Sequence, residues 1–200
     1  MLVLNENDIS NIEDAKLQPG RLWDNSNLQY LRDKIRNHFI DVEVPKCCYC
    51  WKSFRGQHRL EIDTEHILPQ SIYTDLVYKP ENLNIACKRC NMGVKRENVE
   101  FITDQSTMGT DYFISQHYKL IHPNLDIYVH HIVRKEITEG NFVFLKFIVK
   151  NNSDKGKYTY NFFRLEELEI DNINIAQGIN PLRNFSSFVN LHRLRIRTKI

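Results

Sequence analysis

Between Cys47 and Lys95 the chain reads CCYCWKSFRGQHRLEIDTEHILPQSIYTDLVYKPENLNIACKRCNMGVK. Two C-x-x-C pairs enclose residues 51–86, and their members are Cys47, Cys50, Cys87 and Cys90. Each pair puts two thiolates on one tight turn, and four thiolates complete a tetrahedral site that suits Zn²⁺ and leaves no position open for chemistry. We therefore predict a structural zinc site, in preference to ordinary buried cysteines or a redox pair. Cys48 is expected to be a bystander.

The residues between and after the pairs predict the order strand, strand, helix. Residues 58–64 alternate apolar and polar side chains like a short strand, and Leu83–Ala86 is its expected partner. Pro69–Pro80 is predicted to be the intervening loop. Residues 88–98 are predicted to form a short helix despite Gly93.

These motifs resemble the HNH branch of the His-Me finger nucleases, whose fold is the ββα-metal finger. The resemblance covers residues 45–98, about a quarter of the chain. It rests on Glu65-His66 followed by two aliphatic residues and Pro69, on Pro80-Glu81-Asn82-Leu83, and on Cys90-Asn91 with Lys95. Two positions depart from the pattern, because Glu65 stands where Asp or His is more usual and Asn91 replaces the last His.

The resemblance implies a site that hydrolyses phosphodiester bonds. His66 would be the general base, since a neutral imidazole suits proton abstraction near pH 7; a histidine that only packs or caps is the plainer interpretation. Glu65 and Asn91 would hold a divalent ion, with Asp63 as an alternative ligand, and their oxygen donors favour Mg²⁺ or Mn²⁺. Asn82 would brace the loop and orient His66. Candidate phosphate contacts are Lys95, Arg89 and Arg96.

Charge and composition are those of a globular protein whose middle segment carries a positive excess, which suits either a phosphate-binding surface or an ordinary solvated one. The net charge is only +2, and 42% of residues are hydrophobic. Residues 46–96 hold nine basic and five acidic side chains, against five and eight in residues 1–45. We expect DNA, double-stranded, as the substrate. No apolar run is long enough for a membrane span and the first residues do not read as a signal peptide, so a cytoplasmic location is expected.

The fold class expected for the whole chain is α+β, with three parts. Residues 1–44 form an N-terminal helical extension with a helix over 25–39, residues 45–98 the nuclease motif, and residues 99–200 a mixed α/β accessory or partner-docking region. The elements predicted in that last region are a helix over Asp111–Ile121, a hairpin of 127–133 with 142–149, a strand over Lys157–Leu165, a helix over 182–192 and a strand over 193–200.

The segment HPNLDIYVHH, residues 122–131, is similar to a stretch found in a group of bacterial defence nucleases that includes the nuclease subunit of Septu anti-phage systems. That similarity implies a role in anti-phage defence or restriction and an ATPase partner. Its polar residues indicate either packed and solvated side chains or a second metal site: His122, Asp126, His130 and His131. The basic residues near the end would follow a phosphate backbone or protect an edge strand: Arg193, Arg195, Arg197 and Lys199.

The sequence thus predicts a metal-dependent HNH endonuclease acting on DNA, as a monomer or a homodimer. The alternative is a catalytically inactive, zinc-stabilised module that binds nucleic acid or docks a partner. Such a module needs the cysteines and the basic residues but not the set of Glu65, His66 and Asn91. The presence of that set favours the enzyme.

Overall fold

The computed structural model describes residues 2–140 and 142–171. Its N-terminal part contains helix α1, Glu6–Lys16, and helix α2, Gln29–Ile40. A capping box starts α1, because the Asn5 side chain accepts from the Asp8 amide while the Asp8 carboxylate accepts from the Asn5 amide. The helix predicted over 25–39 is confirmed, although its α-helical part begins at Gln29, after a 3₁₀ turn over Ser26–Leu28.

The middle of the chain forms the predicted strand, strand and helix. Strand β1, Ile62–His66, pairs antiparallel with strand β2, Leu83–Cys87, and His66 lies opposite Leu83. A π-helix over Arg89–Lys95 follows directly. β1 begins later than predicted, because a 3₁₀ turn capped by His58 occupies Arg59–Glu61.

The C-terminal part is built around a hairpin. Strands β3, Ile132–Glu139, and β4, Phe142–Val149, pair antiparallel across Gly140, whose φ of 57° suits the turn. The predicted hairpin is confirmed, but residues 128–131 form a helical turn and not the start of a strand. The remaining elements are α3 (Gln105–Met108), α4 (Tyr128–His131), α5 (Asp154–Phe162) and β5 (Ile170–Asp171), which pairs with β4.

The prediction of a helix over Asp111–Ile121 is wrong, because a long-range contact outweighs the local pattern. Only Ser115–His117 form a 3₁₀ turn, and the chain around it is extended. The Lys119 amide donates to the Phe101 carbonyl at 2.7 Å, and the Thr103 amide donates to the His117 carbonyl at 2.8 Å. These partners satisfy backbone groups that a helix would have paired internally.

The prediction of a strand over Lys157–Leu165 is also wrong, because most of that segment belongs to α5. The Ser153 side chain caps this helix by accepting from the Gly156 amide at 3.0 Å. Thr159 and Phe163, four residues apart, both turn into the core. The predicted helix over 182–192 and strand over 193–200 lie outside the described residues.

Two hydrophobic clusters place the β1–β2 hairpin between the N-terminal and C-terminal parts. The larger cluster joins the cysteine turns to the C-terminal part, through residues such as Tyr49, Phe54, Phe101 and Phe163. The smaller cluster packs α1 and α2 on Val77, Tyr78 and Leu83. Among the residues described here, no helix has both the length and the apolarity that a bilayer crossing requires.

Candidate functional site

The four paired cysteines converge on one point. The Sγ atoms of Cys47, Cys50, Cys87 and Cys90 all lie within 4.8 Å of one another, and all four residues are buried. The Sγ atoms of Cys50 and Cys87 are 3.8 Å apart. Two thiolates on one tetrahedral Zn²⁺, with Zn–S bonds of about 2.3 Å, lie about 3.8 Å apart. The donor set and its geometry therefore fit a structural zinc ion, as predicted.

Burial makes this cluster dependent on a cation. Loss of hydration raises the pKa of the Cys47 thiol well above its usual value, and hydrogen bonds from the neighbouring thiols lower that of Cys87. Four thiolates therefore cannot coexist here unless a positive charge lies among them. Cys48 is outside the cluster, in agreement with its predicted role as a bystander.

His66, at the end of β1, is held as a neutral imidazole. Its Nε2 lies 3.0 Å from the Val77 carbonyl oxygen, and only 8% of the residue is exposed. Because a carbonyl can only accept, Nε2 carries the proton and Nδ1 keeps its lone pair. Burial lowers the pKa of His66 to about 4, with a smaller contribution from the Lys95 charge. At neutral pH the ring can accept a proton through Nδ1.

Asn82 fixes the loop that holds His66. Its side-chain oxygen accepts from the Leu68 amide at 2.7 Å, and its nitrogen donates to the carbonyls of Leu68 and Leu76 at 3.1 Å each. These bonds connect the chain just after β1 to the residue before Val77. The geometry agrees with the predicted bracing role, since the Val77 carbonyl can then stay opposite the imidazole.

Glu65 lies in the interior with one of its two oxygens unsatisfied. Oε1 accepts from the Tyr49 hydroxyl at 2.9 Å and lies 2.8 Å from the Lys95 ammonium. Oε2 is buried and has no hydrogen-bond partner among the described residues. Burial raises the pKa of Glu65 and the Lys95 charge opposes that shift. An unpaired buried carboxylate oxygen is costly, and a bound cation would satisfy it.

Asp63 and Asn91 form a second pair of oxygen-bearing side chains. Asn91 Nδ2 lies 3.2 Å from Asp63 Oδ2, and Lys88 pairs with the other oxygen of Asp63 at 2.9 Å. If the Asn91 amide turned over, its oxygen would lie beside the carboxylate, at about the spacing of two neighbouring ligands on Mg²⁺. Asp63 and Glu65 are two residues apart on β1, so their side chains leave the strand on the same face. Oxygen donors of the kind that Asp63, Asn91 and Glu65 carry are those that a hard divalent ion prefers.

The imidazole and the oxygen ligands do not touch, and they are connected by β1 and by Lys95. Within the described residues no contact joins the His66 ring to Asp63 or Asn91, and neighbouring strand residues face opposite sides. Glu65 and His66 are adjacent in the chain, and Lys95 donates to the His66 carbonyl at 2.8 Å as well as pairing with Glu65. Lys95 thus links the two halves of the site.

The three predicted phosphate contacts have different environments. Lys95 is only 1% exposed, so its ammonium is committed to Glu65 and the His66 carbonyl and is not presented to a phosphate. Arg89 donates to the carbonyls of Phe163 and Arg164 and pairs with Glu167, which fastens the π-helix to the C-terminal part. Arg96 is exposed and is the member of this set whose guanidinium is free to meet solvent.

The polar residues of segment 122–131 form hydrogen bonds and not a second metal site. The Asp126 carboxylate accepts from the Lys155 ammonium, the Ser115 hydroxyl and the His122 amide, all at 2.6–2.7 Å. His130 is exposed, and the His131 ring lies 2.6 Å from the Ser153 hydroxyl. Among the described residues, the four cysteines are the only group of three or more His, Cys, Asp or Glu side chains whose ligand atoms converge.

Three residues that the sequence did not single out complete the site. Val77 contributes its backbone carbonyl, a group that every residue type has and that a sequence motif therefore cannot reveal. Tyr49 donates to Glu65, but in the sequence it lies between Cys47 and Cys50 and belongs to no motif of its own. Trp23, from the N-terminal part, lies against the His66 ring with centroids 4.5 Å apart. A half-buried tryptophan far from the motif in sequence gives no local sign of this contact.

Comparisons with known proteins agree with this geometry. Residues 47–97 match the family model described as HNH endonuclease, so this segment is an HNH domain and the resemblance inferred from its motifs is confirmed. The chain is also 33% identical over 79 residues to the Septu protein PtuB of Bacillus thuringiensis. That match covers 40% of this chain and only 30% of the relative's length. No solved structure matches the chain.

Proposed function

We propose that this HNH domain is a metal-dependent endonuclease that hydrolyses phosphodiester bonds of DNA. The observation that carries the proposal is the bond between His66 Nε2 and the Val77 carbonyl, which leaves Nδ1 of a neutral ring free to deprotonate water. A histidine that only packed in a core would not need to follow directly, in the chain, a buried carboxylate with an unsatisfied oxygen.

The residues divide into three roles. His66 accepts the proton of the attacking water, and Asn82 together with the Val77 carbonyl keeps its ring in place. Glu65, Asn91 and Asp63 hold a Mg²⁺ or Mn²⁺ ion, which when bound polarises the phosphate and stabilises the departing oxygen. The four cysteines hold Zn²⁺, whose binding energy helps to fold the hairpin and the π-helix.

The similarity to a Septu protein supports a role in anti-phage defence. On this proposal the chain works in the cytoplasm with a further subunit, for which an ATPase is the expected class. The C-terminal part, fastened to the HNH domain through Arg89 and the Tyr49–Phe163 ring stack, is the proposed docking region. One active site makes one cut per binding event, so a homodimer would explain double-strand cleavage.

The decisive experiment incubates the zinc-loaded full chain with supercoiled plasmid, with and without Mg²⁺ or Mn²⁺. We expect nicked or linear product only when the divalent ion is present, and none from His66→Ala, which should keep its zinc and its fold. His130→Ala is the matched control, because that histidine is exposed and far from the motif in sequence. Undiminished cleavage by His66→Ala would refute the mechanism, and a wild-type chain that binds plasmid without cutting it would favour the inactive binding module.

A further inference from the structure

Within the part of the chain that the structure describes, the HNH domain holds the His66 ring by one hydrogen bond. The Val77 carbonyl fixes the position of Nε2, but this one bond does not by itself define the plane of the ring. A catalytic base needs a defined position, since a displacement of about 1 Å can cost on the order of a hundredfold in rate. A second contact from another direction is therefore required.

Trp23 makes that second contact from outside the HNH domain. Its ring centroid is 4.5 Å from that of His66, and the ring planes meet at 86°. An edge-to-face arrangement at this distance is a favoured geometry for aromatic pairs. His66 is only 8% exposed, and the indole is one of the groups that pack against its ring.

The position of Trp23 is itself fixed by two elements. Arg32 on α2 donates to the carbonyls of both Trp23 and Asn25, which anchors this part of the chain to the helix. The Trp23 ring lies 5.1 Å from that of Tyr78, the residue directly after Val77. The indole and the carbonyl that hold His66 are thus parts of one packed unit, the smaller hydrophobic cluster.

We propose that Trp23 is a positioning residue for the catalytic base, so that the N-terminal part completes an active site which residues 47–97 leave unfinished. This inference rests on the proposed nuclease function. Trp23 acts through His66 and touches neither the phosphate nor the metal ligands. Its role is to keep Nδ1 aimed at the attacking water.

The test compares Trp23→Leu and Trp23→Phe in the zinc-loaded full chain. Initial rates of plasmid nicking at several plasmid concentrations separate kcat from KM, and NMR of the imidazole C–H protons reports the ring current of the indole on His66. We expect Trp23→Leu to lower kcat about three- to tenfold and to leave KM unchanged. This factor corresponds to the free energy that one edge-to-face aromatic pair contributes, which would here favour the correctly placed ring of His66. The chemical shifts of the His66 signals, assigned by their loss in His66→Ala, should change in Trp23→Leu, and Trp23→Phe should recover most of the rate.

Leu22→Ala is the matched control, because Leu22 is the neighbouring residue and packs in the same cluster. It should lose some stability while keeping the wild-type kcat. A wild-type kcat in Trp23→Leu would overturn the inference. A higher kcat would also overturn it, because Trp23 would then block access to His66 and not position it. A loss that Leu22→Ala reproduces and Trp23→Phe does not recover would show a merely structural role. Failure of the proposed function looks different, because wild type and His66→Ala would then cut equally.

Discussion

The Val77 carbonyl oxygen lies 3.0 Å from His66 Nε2, and this contact sets both the tautomer and the direction of the candidate base. Val77 is placed by Asn82, whose side chain bonds to the carbonyl of Leu76 and to both backbone groups of Leu68. The imidazole therefore depends on a residue that it does not touch.

Replacing Asn82 should damage both stability and cleavage. Asn82→Ala removes three buried hydrogen bonds, so we expect a loss of about 2–4 kcal/mol in the free energy of unfolding. Urea denaturation measures that loss, and plasmid nicking under native conditions should fall at least tenfold because Val77 is no longer held. Asn84→Ala is the control, since Asn84 lies two residues further along the chain, on β2, and bonds at the surface to Asn124. Equal effects of the two variants would contradict a special role for Asn82.

Zinc removal should unfold the HNH domain and not merely slow it. We expect about one zinc per chain by elemental analysis, and Cys87→Ser should lose both the metal and the cooperative thermal transition, because binding energy of about 10–16 kcal/mol in small zinc motifs is folding energy. Cys48→Ser is the matched control, as that thiol lies outside the cluster. A Cys87→Ser protein that is well folded without zinc would rule out the structural site.

Replacing the carboxylate of Glu65 by an amide should lower the stability of the fold much more than the same replacement at Asp63. Glu65→Gln leaves the Lys95 ammonium buried without its partner, which should cost about 3–5 kcal/mol of stability. Asp63→Asn breaks a pair with the half-exposed Lys88 and should cost less than about 1 kcal/mol. If Asp63 is a ligand, its variant should need several-fold more Mg²⁺ for half-maximal cleavage. An unchanged Mg²⁺ dependence would show that Asp63 is not a ligand and that the ion depends on Glu65 and Asn91.

Replacing Arg96 should weaken DNA binding, whereas replacing Arg89 should mainly destabilise the fold. Arg96→Ala removes an exposed guanidinium, so it should weaken DNA binding and reduce the slope of log K against log salt by about one unit. Arg89→Ala removes bonds to the Phe163 and Arg164 carbonyls, and its main effect should be a lower melting temperature. Binding titrations at several salt concentrations measure the first effect. The assignment fails if the salt slope changes only in Arg89→Ala.

His122 should make the fold sensitive to acid. Burial lowers its pKa to about 3, and its Nε2 has no hydrogen-bond partner among the described residues. Between pH 6.5 and about 3 the unfolded chain binds a proton there that the folded chain does not, so stability is full above pH 6.5 and falls as the pH decreases. From pH 7 to pH 5 this group should cost about 2 kcal/mol.

His122→Asn tests this, because an Asn oxygen can replace Nδ1 as the acceptor for the Asn124 amide. The free energy of unfolding of the variant, measured in urea at pH 7 and pH 5, should fall by about 2 kcal/mol less than that of the wild type. His130→Asn, at an exposed position, should behave like the wild type. Parallel pH profiles for His122→Asn and the wild type would contradict the assignment to His122.

Local patterns along the chain are enough to predict several elements of this fold. The paired cysteines at fixed spacing predict that four thiols converge on one metal site. The motifs around Glu65-His66 and Asn91 predict the β1–β2 hairpin and the helix that follows it. The hairpin of β3 and β4 was also predictable, because long apolar runs separated by a turn pair with their nearest neighbour. In each case the residues that make the feature lie close together in the chain or form a motif.

Tertiary structure decided what depends on distant partners. The extended chain around Tyr118 pairs with residues 101–103, which overrides the helical pattern, and the capped helix α5 replaces a strand because its buried face packs against the core. In the same way Lys95 is drawn inside by the carboxylate of Glu65, and His66 is confined by Val77 and Trp23. A side chain's protonation and direction follow from the groups that surround it in space, and no local pattern encodes those groups.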